Sequence, residues 1–243
     1  MVDCREPLAA DVVASLVLKL RQLGLESDKD RHAFLSLFTG TRTVSRGEDI
    51  VPSGKTRNFL TVMLSGVACR YRIIESGRRQ IFAFHYAGDF CDYHRYVLPQ
   101  LDDPVAAIAD SLVGTIPRQD LDRTIERHPR VGLAFWRTSA LEARIFQERV
   151  LNAHLRPALE RIASLLCEQV VRLEAMGFDG EQIPLTQVDL ADAAGLSVVH
   201  VNRTIQDLRE LGALSKASHG IRVVDKNRLM HIAKFDAGYL DLK

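Results

Sequence analysis

The sequence has few cysteines and no long apolar run, and these two absences exclude several classes of protein. Only four of the 243 residues are cysteine, at positions 4, 69, 91 and 167, and no Cys-x-x-Cys pair occurs. Zinc sites and iron–sulfur clusters commonly use closely spaced cysteines, so we expect neither. No apolar stretch approaches the roughly 18 residues of a membrane span, and the acidic N-terminus is unlike a signal peptide. We therefore expect a cytoplasmic protein that makes no membrane contact.

The chain also lacks a strong excess of charge of either sign. Lys and Arg number 32 and Asp and Glu number 31, which gives a formal net charge of +1. This balance excludes a polybasic protein that binds nucleic acid through bulk charge, but it allows a local DNA-binding face. With 47% hydrophobic and 26% charged residues, the composition is that of an ordinary globular protein with a core.

The order of sequence patterns predicts strands followed by helices. Residues 9–24 have helical spacing, and residues 38–117 contain short β-branched and aromatic segments separated by Gly-containing turns. Strands about ten residues apart favour a small antiparallel barrel or sandwich. A short helix over residues 120–128 precedes a long one that starts at Pro129, and Pro157 ends that run. We expect a domain boundary near Arg156.

The long helix carries a stripe with alternating three- and four-residue steps, which is the spacing of a coiled-coil seam. Two small residues in the stripe would allow close approach of a second helix, so we favour a homodimer interface over packing of the helix on its own barrel. The stripe consists of Leu133, Trp136, Ala140, Ala143, Gln147 and Val150.

Residues 185–208 predict a helix-turn-helix motif. Two short helical patterns meet at Gly195, and Ser197 is in place to cap the second helix. The apolar residues of that helix fall at positions i, i+4 and i+7, so one face is buried and the other is free to enter a DNA groove. The outward-facing residues include Val198, Val199, Asn202 and Arg203.

Two short β segments around His219-Gly220 follow the motif and look like a wing hairpin. A helix-turn-helix pattern followed by a wing hairpin indicates DNA binding. The alternative is that the motif contacts another protein. Residues 181–243 contain eight acidic and eight basic residues, so any contact with phosphates must come from local placement and from helix N-termini.

With this order of elements, the sequence resembles the Crp/Fnr family of bacterial transcription regulators. The similarity extends over about residues 38–224, and its most specific pieces are Arg46-Gly-Glu-Asp, Leu64-Ser-Gly-Val, Gly88-Asp-Phe and the motif at residues 185–203. The resemblance implies an α+β fold in which residues 1–155 form an N-terminal helix, an antiparallel β-roll (a double-stranded β-helix) and the dimerisation helix. It implies that residues 156–243 form a winged helix-turn-helix DNA-binding domain.

The resemblance also implies a function. Members regulate transcription as homodimers on two-fold symmetric, double-stranded operators, contact RNA polymerase, and activate more often than they repress. Family positions that contact phosphates correspond to Thr186, Gln187, Ser197, His200 and His219. Some of these residues could instead only cap helices.

Two family positions that read bases correspond to Val199 and Arg203. Arg203 keeps the ability to bind guanine O6 and N7. Val199 stands where the best-known members have Glu, so it cannot accept from cytosine, although it could contact a thymine methyl. We therefore expect a related but different half-site.

The cyclic-AMP pocket of the family is altered. Asp92 and Tyr93 stand where cyclic-AMP-binding members have Gly-Glu, and Asp103-Pro104 replaces the Arg-Ser pair that clamps the phosphate. An acidic side chain repels a phosphate, so we expect that cyclic AMP is not the effector. The purine-contacting Thr-Ser pair is replaced as well. The tentative effector pocket consists of Asp92, Tyr93, Asp103, Phe146 and Gln147.

Other interpretations stay open at this point. Iron–sulfur members have clustered N-terminal cysteines, whereas this chain has only Cys4 there. Cys91, with polar sequence neighbours, is the best candidate for a redox-sensing thiol. Haem binding is not excluded either, because His85 and His94 flank the Gly88-Asp-Phe turn as candidate ligands. The sequence does not choose between constitutive binding and gating by a thiol or an unknown effector. A β-roll metalloenzyme is the remaining alternative, but no catalytic motif is present, so we expect a non-enzyme without a cofactor.

Overall fold

The computed structural model describes residues 8–54, 58–98, 100 and 103–242. The chain divides into two compact units, residues 1–71 with 83–140 and residues 72–82 with 141–243. The second unit thus includes the tip of a hairpin that interrupts the first unit in sequence. The predicted domain boundary near Arg156 stays a prediction.

The first unit is built on two antiparallel sheets, with strand orders β1-β7-β3 and β2-β6-β4-β5. Strand β7 is central in its sheet because it pairs with β1 through Gly114 and Thr41 and with β3 through Thr115 and Thr61. The predicted α+β class is confirmed. The strands are β1 (Gly40–Val44), β2 (Asp49–Val51), β3 (Phe59–Ser65), β4 (Ala68–Ile73), β5 (Arg79–His85), β6 (Val105–Ala107) and β7 (Ser111–Pro117).

Helices cover one side of this strand region and share an apolar core with β3 and β7. Aromatic rings lie at its centre, where Phe90 stacks on Phe135 at 4.5 Å between ring centroids and meets Phe34 edge-on at 5.8 Å. The helix predicted over residues 9–24 is confirmed as the first of these. The helices are α1 (Ala10–Gln22), α2 (Asp28–Leu35), α3 (Tyr93–Val97), α4 (Arg118–Arg127) and the start of α5 (Pro129–Leu155).

The surroundings of Cys91 differ from those expected. Its polar neighbours in sequence are not its neighbours in space, because the side chain is fully buried in an apolar cluster with Val44, Ile50 and Met63. Cys69 is fully buried as well, and burial raises the pKa of the Cys167 thiol to about 12. Buried thiols are poorly accessible to oxidants, so the redox interpretation loses its best candidate. Cys4 lies outside the described residues.

The second unit is mostly helical, and its central helix, α6 (Ala158–Ala175), contacts the three helices that follow it in sequence. The break predicted at Pro157 is confirmed, since α5 ends at Leu155 and the next helix begins at Ala158. Among the described residues, no helix is both long enough and apolar enough to span a membrane. The remaining elements are α6 (Ala158–Ala175), β8 (Gln182–Ile183), α7 (Gln187–Ala194), α8 (Val198–Glu210), β9 (Leu214–Ser215), β10 (Ile221–Val223), α9 (Lys226–Ala233) and a 3-10 helix (Ala237–Leu240).

A buried ion pair network lies at the centre of this unit. The Glu168 carboxylate accepts from Arg149 Nη2 at 2.9 Å and lies 3.6 Å from Arg172 Nη1. The Tyr239 hydroxyl donates to its second oxygen at 3.4 Å. Burial acts to raise the pKa of Glu168, but the two arginines outweigh it and hold the pKa below its ordinary value. Glu168 is therefore ionised at neutral pH.

We expect Glu168→Gln to lower the free energy of unfolding by about 3 kcal/mol at neutral pH, because two arginines lose a buried partner. The pKa of Glu168 is lower in the folded chain than in the unfolded chain. Its contribution is therefore present above the ordinary value of 4.5 and is lost as the pH falls through the folded-state pKa. Urea unfolding of both proteins at neutral and acidic pH measures this, and the difference between them should shrink in acid.

The matched control is Glu160→Gln, which removes an ion pair to the exposed Lys234. We expect this control to cost less than about 1 kcal/mol. Equal stability of wild type and Glu168→Gln at neutral pH would contradict the role assigned to this carboxylate.

Candidate nucleic-acid interface

The first helix of the predicted motif begins with a complete capping box. The Thr186 hydroxyl accepts from the Asp189 backbone N–H at 3.2 Å, and the Asp189 carboxylate accepts from the Thr186 backbone N–H at 2.9 Å. Such reciprocal bonds satisfy two backbone donors that a helix start leaves free. The start of α7 is therefore fixed at Gln187.

The turn between the two helices depends on a glycine. Gly195 has φ of +67°, a left-handed conformation that L side chains rarely adopt, and the Leu196 N–H that follows it donates to the Ala191 carbonyl at 3.1 Å. Ala191 is only 2% exposed, so a small side chain lies where the two helices meet. The predicted turn at Gly195 is confirmed.

The second helix, α8, has the predicted cap and the predicted inner face. The Ser197 hydroxyl accepts from the His200 backbone N–H at 3.2 Å. Val201, Ile205 and Leu208 are all fully buried. The helix is thereby held by its apolar face, and its opposite face is left open.

The open face of α8 is exposed where the helix begins. Val199 is 74% exposed and Val198 is 43% exposed. Asn202 donates from its side-chain amide to the Gln187 side-chain oxygen at 2.9 Å, which joins α8 to the start of α7. Arg203 follows it and is exposed.

The wing is a small three-stranded antiparallel sheet in the order β8-β10-β9. Its turn requires a glycine at position 220 for two reasons. Gly220 has φ of +67°, and the Cβ of any other residue there would lie 2.3 Å from the Ile183 carbonyl oxygen. The exposed His219 beside it accepts through its carbonyl from the Gln182 side chain. The predicted wing hairpin is therefore confirmed.

This arrangement places donors for phosphates and for base edges on one part of the second unit. Two capped helix N-termini supply partial positive charge, and α8 presents an arginine, an amide and two apolar side chains. A recognition helix uses these groups in the major groove. Among the described residues, no group of three or more His, Cys, Asp or Glu side chains is placed to hold a metal ion.

Comparison with known proteins agrees with this geometry. A cyclic nucleotide-binding domain matches residues 41–128, and a Crp-like helix-turn-helix domain matches residues 160–232. The chain is 27% identical over 194 residues to the fumarate and nitrate reduction regulatory protein of Vibrio cholerae, with 79% of this chain and 78% of that protein covered. The chain belongs to the Crp/Fnr family of transcriptional regulators.

Two further Crp/Fnr proteins extend the comparison. The transcriptional activator protein FnrL of Cereibacter sphaeroides is 25% identical over 227 residues, which cover 90% of this chain and 91% of that protein. The structure of FixK2 from Bradyrhizobium japonicum superimposes with a TM-score of 0.68 at 24% identity, over 79% of this chain and 96% of that one. The predicted function as a DNA-binding regulator is confirmed, and the family consists of regulators rather than enzymes.

The nine residues that the sequence analysis assigns to DNA contact, seven by the Crp/Fnr resemblance and two by the outward face of the second helix, are all described. They lie at the start of α7, at the start of α8 and in the wing turn, and Asn202 and Gln187 are hydrogen-bonded to each other. Thr186 and Gln187 are half-buried. The exposed members are Ser197, Val198, Val199, His200, Asn202, Arg203 and His219. Their individual contacts with DNA stay predictions.

In the β-roll, the Asp92 carboxylate is hydrogen-bonded within the protein. It is 5% exposed, and its two carboxylate oxygens accept from the Thr61 backbone N–H at 2.8 Å and from the Thr61 hydroxyl at 3.2 Å. Tyr93 is 8% exposed. Both residues of the expected ribose-binding position are therefore packed in the fold, and Asp92 connects α3 to β3.

A basic cluster that the sequence did not reveal lies close by. Arg70 Nη1 lies 3.0 Å from His94 Nδ1, and Arg95 donates to the Asp103 carbonyl at 2.9 Å. Burial, and then the charges of Arg70 and Arg95, lower the pKa of His94 to about 4, so its ring is neutral at pH 7. His85, the other histidine considered as a haem ligand, is 2% exposed.

The remaining candidates for the effector pocket lie on α5. Phe146 is 53% exposed, Gln147 is exposed, and both belong to the second unit. The first three candidates belong to the first unit. The tentative pocket as a whole stays a prediction.

The predicted seam of α5 is exposed at every one of its six positions. Its large apolar members are exposed by 80% at Trp136, 61% at Leu133 and 41% at Val150. Ala140, Ala143 and Gln147 lie between them. The assignment of this stripe to a dimer interface stays a prediction.

Proposed function

We propose that the chain binds a two-fold symmetric operator as a homodimer, without cyclic AMP, and reads each half-site with the start of α8. The observation that carries this proposal is the open face of α8, where Arg203 is exposed one turn beyond the exposed Val199. Arginine binds guanine O6 and N7 in the major groove, and valine suits a thymine methyl. Thr186, Ser197, His200 and His219 lie around this face and are proposed to contact phosphates.

The exposed stripe of α5 supports the homodimer. Trp136 is the only tryptophan of the chain and is 80% exposed, and Leu133 is exposed in the preceding turn. Large apolar side chains in a continuous exposed row mark an interaction surface. A second copy of the same helix suits this row because the small Ala140 and Ala143 allow close contact. The dimer would place two α8 helices on half-sites about one DNA turn, roughly 34 Å, apart.

The β-roll supports independence from cyclic AMP. The Asp92 carboxylate is occupied by Thr61, and Asp103 would bring negative charge to the site of a cyclic phosphate. The buried thiols leave no accessible sulfur for redox gating among the described residues.

Activation of transcription is proposed on the relatives alone. Two of them are named as transcriptional activators, at 24% and 25% identity. Contact with RNA polymerase follows from the same resemblance, and no particular surface of this chain is assigned to it.

We expect Arg203→Ala to lose the preference for one guanine in each half-site, worth about 1–3 kcal/mol of discrimination. The measurement is selection from random duplex DNA by the purified full chain, followed by sequencing. The control is Arg130→Ala, at the start of α5 and outside the proposed interface. An unchanged guanine preference in Arg203→Ala would contradict the assigned role.

We expect Trp136→Glu to convert the dimer into a monomer, because a charge cannot be buried in the apolar seam without a large desolvation cost. Sedimentation velocity at micromolar concentration measures the oligomeric state. The control Leu18→Glu places the same charge at an apolar position of α1 that is 40% exposed, and it should leave the dimer intact. A wild-type chain that sediments as a monomer would refute the proposed geometry.

We expect cyclic AMP to change the DNA affinity by less than about twofold, because a ligand shifts a conformational equilibrium only when it binds one state better. Fluorescence anisotropy with the selected operator, with and without the nucleotide, measures the effect. A tenfold gain would show that the altered pocket still binds cyclic AMP.

A further inference from the structure

The two amide side chains of the motif form a bridge between its helices. The Asn202 Nδ2 group donates to Gln187 Oε1 at 2.9 Å, although the two residues are 15 positions apart. Gln187 is the first residue of α7 and Asn202 is the fifth residue of α8. Asn202 directly precedes Arg203 in α8, and Asn202 is exposed whereas Gln187 is half-buried.

This bridge uses only part of the hydrogen-bonding capacity of Asn202. An asparagine amide has two N–H donors and a carbonyl acceptor. One N–H is bonded to Gln187, and within the part of the chain that the structure describes no other side chain bonds to this amide. One N–H and the carbonyl oxygen are therefore available on an exposed surface. Adenine presents the complementary pair in the major groove, an N6 amino donor and an N7 acceptor.

The bridge also fixes the direction of the amide. An exposed asparagine on a helix has free rotation about two side-chain bonds, and freezing this rotation costs binding free energy. Gln187 removes part of that freedom before DNA arrives. The backbone of Gln187 is fixed, because Thr186 and Asp189 form the capping box on either side of it and Asp189 is 4% exposed.

We propose that Asn202 reads an adenine in each half-site, next to the guanine read by Arg203, and that Gln187 is a positioning residue that orients the Asn202 amide. The inference rests on the proposed function and adds a second base and a second residue to it. Asn202 accepts from adenine N6 and donates to N7 while its other N–H stays bonded to Gln187. The half-site is thus read by one arginine and one restrained amide.

The test is the random-duplex selection with the full chain, run for wild type, Asn202→Ala and Gln187→Ala. Asn202→Ala should lose the preference for one adenine, with about tenfold weaker binding to the wild-type site, and should keep the guanine. Gln187→Ala should weaken the same adenine preference by about threefold, since the amide remains but is no longer oriented. A purely structural role would weaken all positions equally.

Two conservative variants sharpen the result. Gln187→Glu keeps the oxygen that accepts from Asn202, so the adenine preference should persist even though the added charge weakens binding overall. Asn202→Asp keeps only acceptors and should shift the preferred base from adenine to cytosine. Both residues lie at the surface, and urea unfolding verifies that each variant folds.

The outcomes separate this inference from the proposed function. If Arg203→Ala loses its guanine while Asn202→Ala selects the wild-type sequence, the adenine assignment is overturned and the proposed function stands. If Gln187→Ala keeps the full adenine preference, the positioning role is overturned. If wild type enriches no sequence, even with cell extract added, both are overturned.

Discussion

The carboxylate of Glu168 is the interaction on which the second unit depends, since it joins α5, α6 and the C-terminal 3-10 helix. Arg149 reaches it from α5 with one guanidinium nitrogen and binds the Phe82 carbonyl at 2.7 Å with another. Arg172 on α6 and Tyr239 in the 3-10 helix complete its surroundings. A buried charge tolerates few alternative arrangements, because each one leaves a charged group without a partner. The network thus specifies how the hairpin tip, α5, α6 and the C-terminal turn meet.

A second ionic contact connects the hairpin tip with the helix-turn-helix motif. Arg79 binds Asp189 at 2.7 Å through Nη2 and Asp192 at 2.7 Å through Nε. Asp189 is also the acidic member of the α7 capping box, so one carboxylate serves both the helix start and the hairpin. This shared use explains why residues 72–82 belong to the same compact unit as α7, although the rest of their strands belong to the β-roll.

Features set by neighbouring residues were predictable from the sequence, and features set by distant residues were not. The caps at Thr186 and Ser197 and the turn at Gly195 follow from hydrogen bonds and backbone preferences within a few positions. The Arg79 guanidinium binds Asp189 and Asp192, which lie 110 and 113 positions later in the chain. No local sequence pattern indicates such a pairing. The surroundings of Cys91 were wrongly predicted for the same reason, because residues that pack around it, such as Val44 and Met63, are distant in sequence. The basic cluster at His94 was missed because Arg70 lies on β4, 24 positions before His94 in α3.

The ion pairs also explain how a region without net charge is suited to bind DNA. Residues 181–243 contain as many acidic as basic residues, and members of both sets are paired, since Lys226 and Lys234 bind Glu174 and Glu160 outside this stretch. Asp189 and Asp192 bind Arg79, which lies outside this stretch of sequence, and Asp225 caps α9. Arg203, by contrast, is exposed, and within the described residues no acid pairs with it. Salt screens exposed charges beyond about 8 Å, so the potential at a surface is decided mainly by the charges close to it and by which of them are already paired. The net charge of residues 181–243 is therefore a poor guide to this interface. The positions of the individual charges are a better guide.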